Sequence, residues 1–381
     1  MSKKEKYYRL NRILEKKALY NMIIGERSNG KSYAVQEYGV EQYMKTGKQM
    51  ALIRRYELDF QGKRGQETFS GLVKSHDGKR ISELTNGMWT GIKYYASKWY
   101  LCKYDDGFNK IITDDKPFCY AFALTQQEHD KSTNYPDVTT VLFDEFLSRS
   151  GYLPDEFITF QNVLSTIIRD RDDVTIFMCA NTVNKYAPYF KEMGLSHIDK
   201  MEQGDIDLYT YGTTDLTVAV EYCGNPDQRK TKKASDKYFA FDNPKLNMIR
   251  NGAWEISIYP HLPHKYQKKD IKYTYFIAFN GALLQCEIIK CNGYTFTYVH
   301  RKTSDLKLLK KDIIFSENYS PSMRIRRNLL KPFDETGNLL LYFYKTEKVF
   351  FQDNEIGEIM RNYLQWCKTD RGILNWVNWR N

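Results

Sequence analysis

The sequence predicts an α/β fold for the first half of the chain and an α+β fold for its last third. Five short apolar runs recur between residues 20 and 180, separated by stretches of helix length. That pattern suits a parallel sheet covered on both faces, whose strands are buried on both sides. A polar, glycine-bearing loop follows the first run and leads straight into a helical pattern. Further on, Asn280-Gly281 and Asn292-Gly293 separate alternating strand-like runs. Asn-Gly supplies the two positive-φ residues of a tight hairpin, so two such turns in succession predict a three-stranded antiparallel meander.

In chain order, residues 3–17 form a basic stretch with Leu10, Ile13 and Leu14 at helical spacing. Tyr20–Ile24 is the first buried strand and Gly25 ends it. Ser32–Val35 continues at helical spacing beyond the loop. Met50–Ile53, Phe118–Leu124, Val138–Phe143 and Val174–Ala180 supply four more strands. Residues 1–198 are therefore expected to form one α/β domain. Residues 199–235 are polar, with a turn-like Cys223-Gly224-Asn225-Pro226 and a basic run from Arg229 to Lys233, and read as a linker. Residues 236–381 are expected to form a second domain. Its meander runs through Lys272–Phe279, Leu284–Lys290 and Tyr294–Arg301, and Leu339–Lys345 is expected to add a strand. Ile356, Ile359, Met360, Tyr363, Leu364 and Cys367 fall on one face of a helix over 354–368.

Composition removes several classes. The 381 residues carry a formal net charge of +10, spread over both halves, which permits a polyanionic partner without a dedicated basic tail. No run of 18 apolar residues suggests a membrane span, and the basic N-terminus has no apolar core of a secretory signal. Seven scattered cysteines without a CxxC read as free thiols of a reducing compartment. His261 and His264, in PHLPH, read as a turn rather than a metal site.

Residues 25–32 read Gly25-Glu26-Arg27-Ser28-Asn29-Gly30-Lys31-Ser32, which fits GxxxxGK[ST], the phosphate-binding P-loop or Walker A motif. Gly25 and Gly30 let the backbone curl so that its N–H groups face phosphate oxygens. Lys31 is placed to reach the β- and γ-phosphates of ATP. Ser32 offers a hydroxyl to Mg²⁺ at the start of a helix whose dipole favours anions. The strand before and the helix after are the context this motif requires.

A second, independent signal is the strand Val138–Phe143 ending in Asp144-Glu145. Asp144 at the tip of a buried strand can hold the Mg²⁺ shell, and Glu145 can orient and deprotonate the attacking water. With the strand Phe118–Leu124 lying between the two motifs, the pattern points to the ASCE-type subclass, which hydrolyses ATP with an added central strand and is typical of ring translocases. Asn181, ending the next strand, can sense the γ-phosphate or fix the attacking water. Arg169 and Arg171, in IIRDRDD, are candidates for an arginine supplied to a neighbouring subunit, and the sequence does not separate them.

GERSNGKS, the double arginine in Ile53-Arg54-Arg55, the segment YAFALTQQEHDKSTNYPDVTTVLFDEF and the later FMCANT together resemble the DNA-encapsidation ATPases of small podovirus-type tailed phages. The resemblance is dense over residues 20–185. It implies an ATP-driven motor that works as a homopentameric ring on the portal vertex of a procapsid, in the host cytoplasm, and pumps double-stranded DNA inward. It leaves open whether a packaging RNA intervenes. It also implies a C-terminal RNase H-like domain without nuclease activity. By position it makes Gly25–Ser32 the Walker A loop and Asp144 with Glu145 the Walker B pair. It puts the trans-acting arginine at Arg169 or Arg171 and a subunit-communication residue near Lys131. Glu26 departs from the small or neutral residues usual in this loop.

For DNA, the glycine-flanked basic loop Phe60–Gly65, with Lys63 and Arg64, lies where the family's DNA-contacting loop lies. Residues 229–233, 307–311 and 324–327 are alternatives. Base readout is not expected of a packaging motor. Competing functions are another ring-forming P-loop helicase or DNA translocase, and a nucleic-acid-binding assembly protein switched by nucleotide. A nuclease using Asp242 is a further alternative, which the resemblance disfavours.

Overall fold

The computed structural model describes residues 7–105, 110–126, 133–149, 151–153, 155–183, 187–198, 200–212, 214–224, 254, 259–262, 265–304, 312–317, 324–332 and 334–370. The chain divides into two units, residues 1–148 with 155–254 and residues 149–154 with 255–381.

The first unit is built on a ten-stranded sheet: β1 (Tyr20–Gly25), β2 (Gln49–Arg54), β3 (Gly91–Tyr95), β4 (Lys98–Asp105), β5 (Lys110–Thr113), β6 (Cys119–Ala123), β7 (Val138–Asp144), β8 (Thr175–Asn181), β9 (Ile206–Thr210) and β10 (Thr217–Cys223). Their order is β3-β4-β6-β2-β7-β8-β1-β10-β9, with β5 hydrogen-bonded to β4. The six strands from β6 to β10 in this order are parallel, and the edges are antiparallel. Met22, Ile23, Met50–Ile53, Val141–Phe143 and Phe177–Cys179 are buried on both faces of the sheet, the condition under which a strand reads as an unbroken apolar run.

Helix α2 (Lys31–Thr46) packs on β2, β7 and β8. Short helices α3 (Lys63–Glu67), α4 (Ser70–Gly78) and α5 (Arg80–Leu84) follow β2, and α6 (Glu156–Ile168) and α7 (Pro188–Glu192) flank β8. A four-residue helix, α1 (Asn11–Leu14), lies inside the expected N-terminal helical stretch.

The strand lying between the P-loop strand and the Asp144 strand is β8. The Phe118–Leu124 run, expected between the two motifs in sequence, forms β6 on the far side of β2. Two features go beyond the expected elements. β3, β4 and β5 form the antiparallel edge, seated on a cluster of Phe60, Phe69, Trp99 and Phe118. The stretch expected as linker contributes β9 and β10. Glu221 interrupts the apolar pattern of β10 in sequence, yet it is buried and satisfied by the Tyr8 hydroxyl at 2.6 Å, with Arg12 at 3.5 Å. The basic run 229–233, Asn225 and Pro226 lie outside the described residues.

The second unit holds a six-stranded sheet of β11 (Ile271–Phe279), β12 (Ala282–Cys291), β13 (Tyr294–Arg301), β14 (Ile314–Ser316), β15 (Ile325–Arg326) and β16 (Val349–Phe351), in the order β15-β14-β11-β12-β13-β16. β11, β12 and β13 are the expected meander. Asn280 and Gly281 have φ of 51° and 74°, and Asn292 and Gly293 have 51° and 78°, the mirror-image turn geometry that Asn-Gly favours. β14 and β16 add in parallel to β11 and β13.

One element corrects the sequence reading. Leu339–Lys345, expected as a strand, lies in helix α8 (Glu335–Lys345). A short apolar run fits a strand or a buried helix equally well, and the N-cap decides here. Asp334 Oδ1 accepts from the Gly337 N–H at 2.7 Å, while Leu340, Leu341 and Phe343 face inward and Leu339 and Tyr342 outward. Helix α9 (Asn354–Thr369) has the expected amphipathic face, with Ile356, Ile359, Met360, Tyr363 and Cys367 buried. His261 bridges to Phe351; His264 and Asp242 lie outside the described residues. Among the described residues, no helix is long and apolar enough to cross a membrane, and no group of three or more His, Cys, Asp or Glu could hold a metal ion.

Candidate functional site

The site forms at the C-terminal ends of β1, β7, β8 and β2, where parallel strands point their following loops to one side. Register fixes the depth of each residue. Gly25 sits beside Asn181 and Cys223, and Asp144 beside Cys179. Gly25 leaves no room for a side chain, because a Cβ would collide with the Cys223 carbonyl and thiol. The chain then loops through Glu26–Asn29 to Gly30, whose φ of 94° is the left-handed conformation that glycine adopts without strain, and enters α2. Asn29 braces the loop: its Nδ2 donates to Cys223 Sγ at 3.1 Å and its carbonyl accepts from the Tyr8 N–H at 2.9 Å.

Lys31 is 5% exposed. Its ammonium donates to the Glu26 carbonyl at 2.6 Å, to Asn29 Oδ1 at 3.1 Å and to Asn181 Oδ1 at 3.3 Å. Burial lowers its pKa below that of an ordinary lysine, and the nearby Asp144 acts in the opposite direction. Asn181 thus shares the Lys31 ammonium with the loop. Ser32 Oγ, at the first turn of α2, donates to Asp144 Oδ1 at 2.6 Å. Glu145 follows in a left-handed conformation, φ 59°, its N–H held by the Cys179 carbonyl at 2.8 Å and its side chain 64% exposed.

Two residues that sequence reasoning left without a role complete the constellation. Arg54, at the tip of β2, forks between the two carboxylates: one terminal nitrogen is 2.6 Å from Asp144 Oδ2 and the other 2.9 Å from Glu145 Oε2. The two carboxylates hold the guanidinium pKa above its ordinary value against the effect of burial. Arg55 turns the other way. It makes a buried two-pronged pair with Glu156 of α6, at 2.7 and 2.8 Å, and donates to the carbonyls of Glu145 and Phe146. Glu156 also accepts from Tyr189 at 2.7 Å. Arg55 therefore fixes the backbone that follows Asp144 while Arg54 fixes the side chains. The available signal was the Arg-Arg pair at the end of an apolar strand, where a charge must meet an opposite charge to be buried.

The family model of the Podovirus DNA encapsidation protein (Gp16) matches residues 1–81 and 106–233, more than half of the chain. The chain belongs to this family. The DNA packaging protein of Bacillus phage B103 is 28% identical over 180 residues, which is 46% of this chain and 48% of that protein. The DNA packaging protein of Bacillus phage phi29 is 26% identical over 190 residues, 49% of this chain and 50% of that protein. The chain thus spans about half the length of the curated relatives it matches. Among solved structures, the Phi-28 gp11 DNA packaging motor aligns over 96% of this chain and 99% of its own, with a TM-score of 0.55 and 19% identity. The bacteriophage Phi-29 viral genome packaging motor assembly aligns over 94% and 97%, with a TM-score of 0.52 and 18% identity. At these identities the likeness speaks for the fold.

The remaining candidate residues of this encapsidation-family chain lie apart from the loop. Arg171 donates to the carbonyls of Tyr135, Val138 and Ile167 and pairs with Asp173 at 2.9 Å. Arg169 caps the end of α6 at φ 51°, is exposed, and donates to the Thr133 carbonyl. Both precede β8, whose seven residues span about 20 Å to Asn181 at roughly 3.3 Å each. Lys63 and Arg64 open α3, so the expected loop is one helical turn at its basic end, and Arg64 donates to the Leu58 carbonyl. Arg326 and Arg327 are taken up in pairs with Asp334 and Asp370. Lys131 and residues 307–311 lie outside the described residues.

Proposed function

We propose that this chain is the ATP-hydrolysing motor of a phage genome-packaging machine, working as a ring on the portal vertex of a procapsid in the host cytoplasm and driving double-stranded DNA inward. The observation that carries this reading is the convergence of Lys31, Ser32, Asp144, Glu145 and Asn181 on one rim of a sheet with β8 between the P-loop and Asp144 strands. That strand order is the ASCE arrangement of P-loop ATPases. ATP is the nucleotide: the loop N–H groups and the α2 N-terminus cradle its phosphates, and Lys31 exchanges loop carbonyls for phosphate oxygens.

Mg²⁺ fits the donor set. Ser32 Oγ and Asp144 Oδ1, hard oxygen donors 2.6 Å apart, would hold the ion. It would supply neutralisation of the charge on the transferring phosphates. Glu145 accepts the proton of the attacking water, Asn181 orients that water against the γ-phosphate, and Arg54 positions Glu145.

Arg169 serves as the arginine supplied to a neighbouring subunit. It precedes β8, whose other end carries Asn181, and Arg171 is occupied by four local acceptors. Lys131 remains the proposed communication residue, and Lys63 with Arg64 the proposed DNA contact, their charges multiplied by ring symmetry. The pentameric stoichiometry and a packaging RNA belong to the same proposal. The second unit is RNase H-like: a meander with two strands added in parallel beyond its first strand supports this, and β11 carries no carboxylate from which a nuclease centre could start.

Glu145→Gln tests the reading. Nucleotide binding persists and hydrolysis falls by about 10²- to 10⁴-fold, the usual contribution of a general base. Hydrolysis at the wild-type rate would remove Glu145 from this role.

A further inference from the structure

The antiparallel edge of the first sheet has one face that the motor chemistry does not use. β3 and β4 pair so that Lys93 lies opposite Tyr100 and Tyr95 opposite Lys98, while β5 sets Ile111 opposite Tyr104. Directly paired residues share a face, and side chains alternate along each strand. Lys93, Tyr95, Lys98, Tyr100 and Tyr104 therefore stand on one side. Trp99, Leu101 and Ile92 stand on the other, packed into the core with Phe60, Phe69 and Leu72. The first side is open to solvent: Tyr95 is 69% exposed and Tyr104 is 54% exposed. Lys98 extends it onto β6, its ammonium 5.8 Å from the centre of the Tyr120 ring.

We propose that this face binds single-stranded nucleic acid, with phosphates on Lys93 and Lys98 and unpaired bases stacked on Tyr95, Tyr100 and Tyr104. The charge selects a polyanion, because none of the residues on this side of β3, β4 and β5 is a carboxylate. The phenol rings select unpaired bases, since a duplex keeps its bases stacked on one another and presents only phosphates to such a surface. Cations and rings alternate across the strands, so a strand crossing the face meets both within one nucleotide's reach. A second copy meeting this face with the same face would set Lys93 and Lys98 against like charges with no carboxylate between them.

Fluorescence anisotropy with the full chain tests the proposal, using labelled 15-nucleotide oligo(U) and oligo(dT) and a 15-base-pair duplex. Tyr95→Thr with Tyr104→Thr keeps strand-compatible residues and removes two rings. It is expected to weaken binding of both single strands at least about tenfold, and of the duplex by less than about twofold. Tyr95→Phe with Tyr104→Phe keeps the rings and must keep the affinity, which separates lost stacking from a damaged fold. Lys93→Gln with Lys98→Gln should reduce the salt slope for single strands by about 1.4, at about 0.7 per phosphate contact. Equal loss for duplex and single strand would overturn the proposal, as would unchanged oligonucleotide binding in the threonine variant. A dimer in sedimentation that this variant dissolves would overturn it too, by assigning the face to a second copy.

Discussion

Arg54→Ala removes the one side chain that touches both carboxylates of the site, and its effect can be worked from the geometry. The pair with Asp144 is 2.6 Å long, and Asp144 is 6% exposed. Without Arg54, that carboxylate keeps the Ser32 hydroxyl and loses its charge partner, which costs about 2–3 kcal/mol. The pair with Glu145 involves a side chain 64% exposed, so water screens it and its loss adds roughly 0–1 kcal/mol. For a unit of this size the melting temperature falls by about 4–16 °C. Turnover suffers more. Glu145 sits in a left-handed backbone conformation with Arg54 as its anchor, and a freed base samples many orientations. A loss of about 10²-fold in kcat follows, within the usual contribution of a general base. Lys31 and the loop are untouched, so KM for ATP stays within about threefold. Arg54→Lys restores most of the thermal stability but only part of kcat, because one ammonium cannot fork to two carboxylates. Steady-state ATPase kinetics well below the melting temperature, with a thermal melt of each variant, read all of this. An Arg54→Ala protein with wild-type kcat, or one whose whole defect lies in KM, would refute the positioning role.

The hairpin joining β3 and β4 turns through Ala96 and Ser97 at φ of 48° and 59°, so Ala96→Asn with Ser97→Gly should raise stability by about 1 kcal/mol, read by chemical denaturation. Burial opposes ionisation of Glu287, but His300, Tyr266 and Gln285 prevail and hold its carboxyl below the ordinary range. A depressed carboxyl stabilises above its unfolded pKa and loses that contribution as pH falls through the folded one. Glu287→Gln should therefore flatten the acid limb of the stability profile of the second unit below about pH 4.3, and an unchanged limb would contradict the assignment. Arg171→Ala should lower the melting temperature, because it strips donors from three carbonyls. Arg169→Ala should leave the melt near wild type, abolish ATPase activity alone, and poison mixtures with wild type. The opposite division would exchange their roles.

Much of the site was legible because phosphate chemistry restricts residue type and spacing together. Gly25, Gly30, Lys31 and Ser32 are separated by backbone geometry, and the Asp144-Glu145 pair is flagged by the apolar strand it ends. Arg54 was visible but unassigned, since its partners lie 90 residues away and only the β2–β7 register joins them. β10 was masked by Glu221, whose burial depends on Tyr8 and Arg12 from the far N-terminus. The β3–β5 edge carries lysines and tyrosines on its open face, so its alternation is half hidden. The strand expected at Leu339–Lys345 became helix α8 because one N-cap, Asp334, outweighed an ambiguous apolar run. In the second unit the Asn-Gly turns announced the meander, while the short parallel strands β14, β15 and β16 are too brief to leave a pattern.

The motor assignment is tested most directly by uptake of linear duplex DNA into matching procapsids, assayed as DNase-resistant DNA in the presence of ATP. Wild-type chain should protect DNA in proportion to ATP hydrolysed, and Glu145→Gln should bind ATP and protect none. Protection that proceeds with Glu145→Gln, or wild-type hydrolysis that never yields protected DNA, would contradict the account.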